Sequence, residues 1–208
     1  MSRISSGAQI NPQVLRRTPQ LGRMKKLITS RCILEPQVAA HAHEMFAVLN
    51  DPAIYEFENN PPVSEQWLFE RYQRLESRGP KVGEEKWLNW IIRLPTGVPT
   101  GYVQATLLQD GTALVAYELN SHYWRQGIGS SAVLAMLAEL KAQYGVQKFV
   151  AVLKARNYRS LALLLKIGFT QAGQEQCAHY RDAPDEVVMV KSISAGASAA
   201  FSYPHVNR

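Results

Sequence analysis

The chain has 208 residues, of which 46% are hydrophobic and 19% charged, an ordinary balance for one globular domain with its own core. No stretch approaches the roughly 18 unbroken apolar residues of a membrane span, and no apolar segment of a secretory signal follows the basic N-terminus. A soluble cytoplasmic protein is therefore expected. The net charge of +6 would suit a polyanionic partner, but no zinc-finger or RNA-recognition spacing supports nucleic acid, and the histidines show no metal spacing.

Composition divides the chain into three segments. Residues 1–25 are rich in Ser, Gly, Pro, Gln and Arg without periodicity and are predicted to form a flexible basic arm. Residues 26–192 alternate strand-like and helix-like runs and form the predicted domain. Residues 193–208 are rich in Ala and Ser and form a predicted tail.

The first half of the domain predicts one strand, two helices and then a run of antiparallel strands. Leu27–Leu34 reads as a strand and Gln37–Asn50 as an amphipathic helix, and Ser64 is an N-cap candidate for the second helix. Three strands follow, joined by turn sequences rich in Gly, Pro and Asp: Trp87–Leu94, Gly101–Leu108 and Ala113–Leu119.

The second half predicts a crossover followed by another antiparallel pair. A long helix begins near Gly127 and ends near Tyr144, and a strand and a shorter helix follow it. The last two predicted strands are Phe169–His179 and Glu186–Ser192. Mixed strands and helices with antiparallel pairs at both ends predict an α+β fold.

The strand-to-helix loop before the long helix is the strongest functional signal. Gly127 and Gly129 allow backbone N–H groups to approach a phosphate closely, and the first turn of a helix offers unpaired N–H donors and the positive end of its dipole. Arg125 adds a cation. The pattern predicts a pyrophosphate site, and an ordinary helix start with two glycines is the alternative.

Two other nucleotide-binding loops fit this segment less well. The dinucleotide fingerprint needs a third glycine where this chain has Ala132, and no acidic residue ends a second parallel strand at the right place. The Gly-Lys-Ser/Thr of a Walker loop is absent from the sequence.

A second motif follows the next predicted strand. Asn157 is a good N-cap, Ser160 lies in the first turn on the same side, and Gly168-Phe169 ends the helix. Taken alone, this segment is more typical of a capped core helix.

Together the two segments resemble the GNAT superfamily of acetyltransferases. The loop Gly127-Ile-Gly129 is similar to the family's CoA pyrophosphate loop, and Asn157-x-x-Ser160 with Gly168-Phe169 matches a second family motif in order and spacing. The segment Thr29–Pro36 and the pair Tyr123-Trp124 resemble the Rim-type branch, the ribosomal-protein N-terminal acetyltransferases.

This resemblance covers roughly residues 26–192 and implies the GNAT fold, a mostly antiparallel central sheet of about six or seven strands flanked by helices. It implies acetyl-CoA as co-substrate, bound where two central strands part, and direct attack of a primary amine on the thioester. No metal or covalent intermediate is implied. The cofactor-binding residues implied are Leu119, Arg125, Gln126, Gly127, Ile128, Gly129, Ser130 and Asn157.

Two residues are candidates for proton transfer. Many family members carry a tyrosine where this chain has Leu164, so Ser160 is the expected hydrogen-bond donor to the departing sulfur. Glu118 is the candidate base, because strand alternation places it on the opposite face from Leu119. The Rim-type branch usually has an aromatic residue there and an acid where this chain has Leu114. A surface or strand-paired glutamate is the alternative for Glu118.

The sequence leaves the acceptor open between a protein N-terminus and an amine-bearing small molecule. Glu56, Glu58 and Asn59 fall in a region that commonly lines the acceptor side in this family, and they are equally typical of a solvated loop. A catalytically inactive CoA-binding or partner-binding module on the same fold is the main alternative. A nucleic-acid-associated protein using the basic arm is a second one, and a homodimer is left open.

Overall fold

The computed structural model describes residues 24–57, 59–80 and 82–193, and within them eight strands form one sheet in the order β1-β2-β3-β4-β5-β6-β8-β7. The strands are β1 (Leu27–Ile28), β2 (Ile33–Pro36), β3 (Lys86–Arg93), β4 (Pro99–Leu107), β5 (Thr112–Leu119), β6 (Lys148–Lys154), β7 (Thr170–Gln171) and β8 (Glu186–Ser192). The helices are α1 (Ala42–Leu49), α2 (Glu65–Glu76), α3 (Ile128–Tyr144), α4 (Tyr158–Lys166) and α5 (Gln174–Tyr180). The predicted α+β class is confirmed. No helix of the described chain is both long and apolar enough to cross a membrane.

Helices cover both faces of the sheet, because alternate residues of each strand point to opposite faces. Trp90 and Val103 of the strands pack with α3 and α4 in the larger core. Ile91 and Tyr102, their neighbours in sequence, pack against α1 and α2 in a smaller core. The sheet therefore has an α3/α4 face and an α1/α2 face.

The centre of the sheet opens between β5 and β6, which are parallel. Their pairing is limited to Thr112–Leu114 with Lys148–Val150, whereas β5 stays paired with β4 as far as Leu119 and β6 stays paired with β8 as far as Lys154. The ends of the two strands therefore diverge, and the opening between them joins the two faces of the sheet.

The sheet has one or two strands more than expected. The predicted strand Leu27–Leu34 is a hairpin of β1 and β2, because the Thr29 hydroxyl oxygen accepts hydrogen bonds from the N–H groups of Arg31 (3.1 Å) and Cys32 (2.9 Å) and fixes a turn. The start of the predicted helix Gln37–Asn50 is a separate 3₁₀ turn, Ala39–His41.

The prediction of one strand over Phe169–His179 was wrong. Pairing with β8 is limited to Thr170–Gln171, and the chain then forms α5, with the Cys177 N–H donating to the Gly173 carbonyl at 2.9 Å. The run after Gly173 has no alternating apolar residues, so nothing in it would bury one face of a strand.

Much of the predicted arm and tail, residues 1–23 and 194–208, lies outside the described residues, as does Glu58.

Candidate active site

A cavity of about 930 Å³ passes through the opening between β5 and β6. On the α3/α4 face it is lined by the loop before α3 and by the start of α4. On the α1/α2 face it is lined by α2, by the connection between α1 and α2, and by side chains of β3, β4 and β5. One continuous space therefore reaches both the predicted phosphate loop and the predicted acceptor side.

The loop before α3 has the backbone form of an anion site. Arg125 (φ 61°) and Gly127 (φ 76°) both adopt left-handed conformations, and the first backbone bond of the helix is from Ser131 N–H to Gly127 O (3.0 Å). The N–H groups of Ile128, Gly129 and Ser130 precede this first donor and therefore have no carbonyl partner within the helix. No acidic side chain lies in this first turn. The side chain of Ile128 is itself buried, so only its backbone can serve a ligand.

A second arginine reaches this loop from the far end of the sheet. Arg31 donates from Nη1 to the carbonyl of Gln126 (3.1 Å), and a Cβ placed on Gly127 would lie 3.3 Å from Arg31 Nε. The Gln126 side chain donates to the carbonyl of His122 (2.9 Å) and so helps to hold the loop. With Arg125, this arrangement gives two cations beside the unpaired N–H groups, a donor set that fits a pyrophosphate.

The end of β5 turns a backbone group toward the cleft. Asn120 N–H donates to Thr100 O of β4 at 2.8 Å. Because neighbouring residues of a strand direct their backbone groups to opposite sides, the N–H and C=O of Leu119 face the gap left by β6. The carbonyl of Leu119 accepts from Trp124 Nε1 (2.7 Å), which leaves the N–H as the donor directed at the cleft.

The predicted pair at the start of α4 lies on the same cavity. The Asn157 side-chain oxygen accepts from the Ser160 N–H (3.1 Å) as a helix N-cap, and both residues line the cavity. The Ser160 hydroxyl lies 2.7 Å from the hydroxyl of Tyr117 on β5. If the tyrosine donates in this pair, the serine proton is left to donate to a third group.

Glu118 lies on the α1/α2 face, opposite Tyr117 and Leu119, as the alternation predicts. Asn59 Nδ2 is 3.5 Å from its carboxylate, and Tyr102 of β4 is its register partner. Burial first, and then the charge of Glu118, raise the pKa of the Tyr102 hydroxyl well above its usual range. The same two causes, in the same order, raise the pKa values of Tyr55 and Tyr72. Glu118 therefore lies among tyrosine hydroxyls that stay protonated at neutral pH.

A cation and several aromatic rings meet at the mouth of the cavity. The guanidinium of Arg159 lies 4.6 Å from the ring centre of Trp124 and 5.3 Å from that of Phe57, and it pairs with the Glu56 carboxylate at 2.6 Å. Glu56 is therefore tied to α4 in this structure. The contacts join the connection after α1 to the start of α4 across the opening.

Sequence reasoning missed four residues of this site: Arg31, Tyr102, Tyr117 and Arg159. Alternation along β5 already placed Tyr117 on the face opposite Glu118, but its pairing with Ser160 depends on how α4 packs over the sheet. Arg31 lies in the family-like segment Thr29–Pro36, and nothing in that segment by itself indicates contact with the loop before α3. No local sequence signal indicates the other two.

Comparison with known proteins agrees with this geometry. Residues 31–170, more than half of the chain, match the family described as "Acetyltransferase (GNAT) domain". No curated protein matches the chain by sequence.

Solved structures with the same fold include the following three. One is RimL, a ribosomal L7/L12 alpha-N-protein acetyltransferase in complex with CoA, with a TM-score of 0.68, 17% identity, and coverage of 83% of this chain and 100% of that chain. A ribosomal-protein-S5-alanine acetyltransferase from Vibrio fischeri has a TM-score of 0.64, 14% identity, and coverage of 83% and 98%. The microcin C7 self-immunity acetyltransferase MccE, in complex with acetyl-CoA and AMP, has a TM-score of 0.64, 20% identity, and coverage of 79% and 94%.

The fold and the family match define an acetyltransferase: the chain belongs to the GNAT family. It is an N-acetyltransferase with acetyl-CoA as its co-substrate.

Proposed function

We propose that this protein transfers the acetyl group of acetyl-CoA to a primary amine that enters the cavity from the α1/α2 face. The observation that carries the proposal is the continuous cavity. It brings the loop before α3, the Ser160 hydroxyl and the Glu118 carboxylate to one opening between β5 and β6. We also propose that the protein works in the cytoplasm.

The co-substrate would be held on the α3/α4 face. The N–H groups of Arg125 to Ser130, with the guanidinium groups of Arg31 and Arg125, would bind the pyrophosphate. Leu119 and Asn157 would contact the pantetheine arm, because both line the cavity between the loop and the opening. The co-substrate supplies an activated acetyl group as a thioester, which an amine nitrogen can attack directly.

Proton transfer would be divided between the two faces of the sheet. Glu118 accepts a proton from the amine, directly or through water, so that the nitrogen lone pair is available for attack. The Leu119 N–H lies on the path between the faces and stabilises negative charge on the carbonyl oxygen. Ser160, accepting a hydrogen bond from Tyr117, donates its own to the sulfur as the carbon–sulfur bond breaks.

Two classes of acceptor stay within the proposal. RimL and the enzyme from Vibrio fischeri act on ribosomal proteins by their descriptions, which favours a protein N-terminus. MccE is described as an immunity enzyme for microcin C7, which favours an amine-bearing compound.

The test is the release of CoA from acetyl-CoA with a panel of simple amines and short peptides. We expect turnover by the wild type and a fall in kcat on the order of 100-fold for Glu118→Gln at neutral pH, with unchanged affinity for acetyl-CoA by calorimetry. The loss should shrink as the pH rises through the amine pKa of about 8 to 10, because the free amine then needs no base.

Glu84→Gln is the matched control, since it removes an exposed carboxylate from the connection before β3. Binding of acetyl-CoA without CoA release from any amine would overturn the proposal in favour of the inactive CoA-binding module. Equal pH profiles for Glu118→Gln and the wild type would remove Glu118 from its role and leave the transfer itself standing.

A further inference from the structure

The cavity continues past Glu118 into a pocket between α2 and the sheet, and its lining becomes polar and buried there. Asn89 of β3 and Gln104 of β4 are register partners on the α1/α2 face, and Tyr72 of α2 lies over them. Asn89 and Tyr72 are each only 5% exposed. We call this end, defined by Tyr72, Asn89 and Gln104, the distal pocket.

Two hydrogen-bond donors in the distal pocket are unused by the part of the chain that the structure describes. Within the described residues, the side-chain nitrogen of Asn89 and the hydroxyl of Tyr72 are buried without a hydrogen-bond partner. A buried polar group left unsatisfied costs about 1–3 kcal/mol, so folded proteins rarely keep such groups in an interior that nothing enters. The raised pKa of Tyr72 keeps its hydroxyl protonated, so both groups are donors that a ligand oxygen would satisfy.

The register of the sheet sets the distance from the base to this pocket. Glu118 pairs with Tyr102, which pairs with Ile91, and Asn89 lies two residues from Ile91 along β3. With strands about 4.8 Å apart and about 3.4 Å per residue, the Cα atoms of Glu118 and Asn89 are about 12 Å apart. Both residues line the cavity on the same face of the sheet, so their side chains are separated by about the same distance. A ligand group hydrogen-bonded at each end takes up about 3 Å, which leaves on the order of 6–8 Å between the amine and the oxygen. Two extended residues span about 7 Å.

We propose that the acceptor carries a hydrogen-bond-accepting oxygen about two residue lengths from its amine, and that Tyr72 and Asn89 bind this oxygen in the distal pocket. The inference rests on the proposed function and narrows its acceptor. A hydroxyl or carbonyl fits, because both protein groups are neutral donors. The oxygen can belong to a small amine or to an early residue of a peptide, since both present the same chemistry at this distance.

The experiment compares matched acceptors with the full-length enzyme. Aminopentanol and hexylamine differ only in a terminal hydroxyl in place of a methyl group, and glycylglycinamide presents a carbonyl oxygen at a similar distance in a peptide. We expect the wild type to prefer aminopentanol over hexylamine by about tenfold or more in kcat/KM. Preference for glycylglycinamide over aminopentanol would identify a peptide source, and the reverse a small-molecule source.

Tyr72→Phe and Asn89→Leu provide the matched variants. Each should bring the ratio of aminopentanol to hexylamine turnover close to one by lowering the aminopentanol rate far more than the hexylamine rate, with acetyl-CoA affinity unchanged. Tyr72→Phe should also melt at the same temperature as the wild type or higher, because it removes an unsatisfied hydroxyl. A purely structural tyrosine would instead lower the melting temperature and slow both acceptors equally.

The outcomes separate the two proposals. Hexylamine turnover without preference for the hydroxyl, or variants that slow both amines alike, would overturn the distal-pocket inference and leave the acetyltransferase activity in place. Absence of CoA release with every amine, despite acetyl-CoA binding, would overturn the proposed function itself.

Discussion

At the residue scale, the chain has Leu164 where many family members carry a tyrosine, and Tyr117 of β5 contacts Ser160 on the same helix as Leu164. Tyr117 reaches Ser160 from β5, with the two hydroxyl oxygens 2.7 Å apart. Its hydroxyl is also 3.2 Å from the Ser160 carbonyl. A serine hydroxyl that accepts a hydrogen bond from a tyrosine donates a stronger hydrogen bond to a departing thiolate than a serine alone, because each hydrogen bond in such a chain polarises the next.

We expect Ser160→Ala to lower kcat by roughly 10- to 100-fold and Tyr117→Phe to lower it by a smaller factor, both without change in acetyl-CoA affinity. If the two hydroxyls act as a unit, the double variant should be no slower than Ser160→Ala. CoA-release kinetics across this double-mutant cycle measure the coupling. Tyr144→Phe, near the far end of α3, serves as the control. Additive losses would show that Tyr117 does not act through Ser160.

At the scale of elements, a charged cluster ties α1 to the sheet edge next to the acceptor side. Arg93 of β3 donates from Nε to Glu35 of β2 at 2.5 Å and from its terminal nitrogens to Glu44 of α1. The hydrogen bond from Arg93 is the main reason that the pKa of Glu35 is lowered, and the charges of Arg93 and Lys26 add to it against the cost of burial. The ion pairs hold α1 in its position over the sheet.

A carboxylate with a lowered pKa in the folded state stabilises the fold above its unfolded pKa and loses that contribution as the pH falls. Glu35→Gln should therefore reduce the free energy of unfolding by about 1 kcal/mol at pH 7, a modest value because the site is partly exposed. The difference from the wild type should shrink as the pH falls below the ordinary value of 4.5 and vanish below the folded pKa. Urea unfolding at several pH values measures it.

The control for this measurement is Glu84→Gln, which removes an exposed carboxylate elsewhere and should change the unfolding free energy little at any pH. A Glu35→Gln effect that stays constant down to pH 3 would contradict the electrostatic account and indicate a packing effect instead.

At the scale of the whole molecule, residues just outside the predicted domain of residues 26–192 contact its core. The Lys25 carbonyl accepts from Nε1 of the fully buried Trp90 at 3.1 Å, and the Lys25 ammonium pairs with Glu139 at 3.2 Å. Met24 and Ile193 both pack against the larger core. The short segment before β1 therefore satisfies a buried donor in the middle of the sheet.

We expect a chain of residues 24–193 to melt within about 2 °C of the full-length protein and to bind acetyl-CoA equally well. A chain of residues 27–193 leaves the Trp90 indole N–H without its acceptor, which costs about 1–3 kcal/mol. For a protein of this size that loss lowers the melting temperature by roughly 3–10 °C. Thermal melts of the three proteins measure this. A lower melting temperature for residues 24–193 would show that the outer segments stabilise the fold.

The sequence by itself determined the features that depend on neighbouring residues. Gly127 and Gly145 mark the two ends of α3 because each position needs a left-handed residue. Asn157 begins α4 because its side chain accepts a hydrogen bond from the backbone N–H of Ser160, three residues further on. The alternation along β5 likewise placed Glu118 opposite Leu119. These signals act within a few residues, so most of the order of elements and the backbone form of the loop before α3 could be predicted.

The tertiary structure alone decided what distant segments do together. A Cβ on Gly101 would lie 2.1 Å from the Glu118 carbonyl oxygen, so only glycine allows β4 to follow β5 to the edge of the opening. The contact of Tyr117 with Ser160, the approach of Arg31 to the loop, and the polar distal pocket all join segments far apart in sequence. Strand register and helix packing fix these distances through the sum of many weak contacts, which no local pattern records.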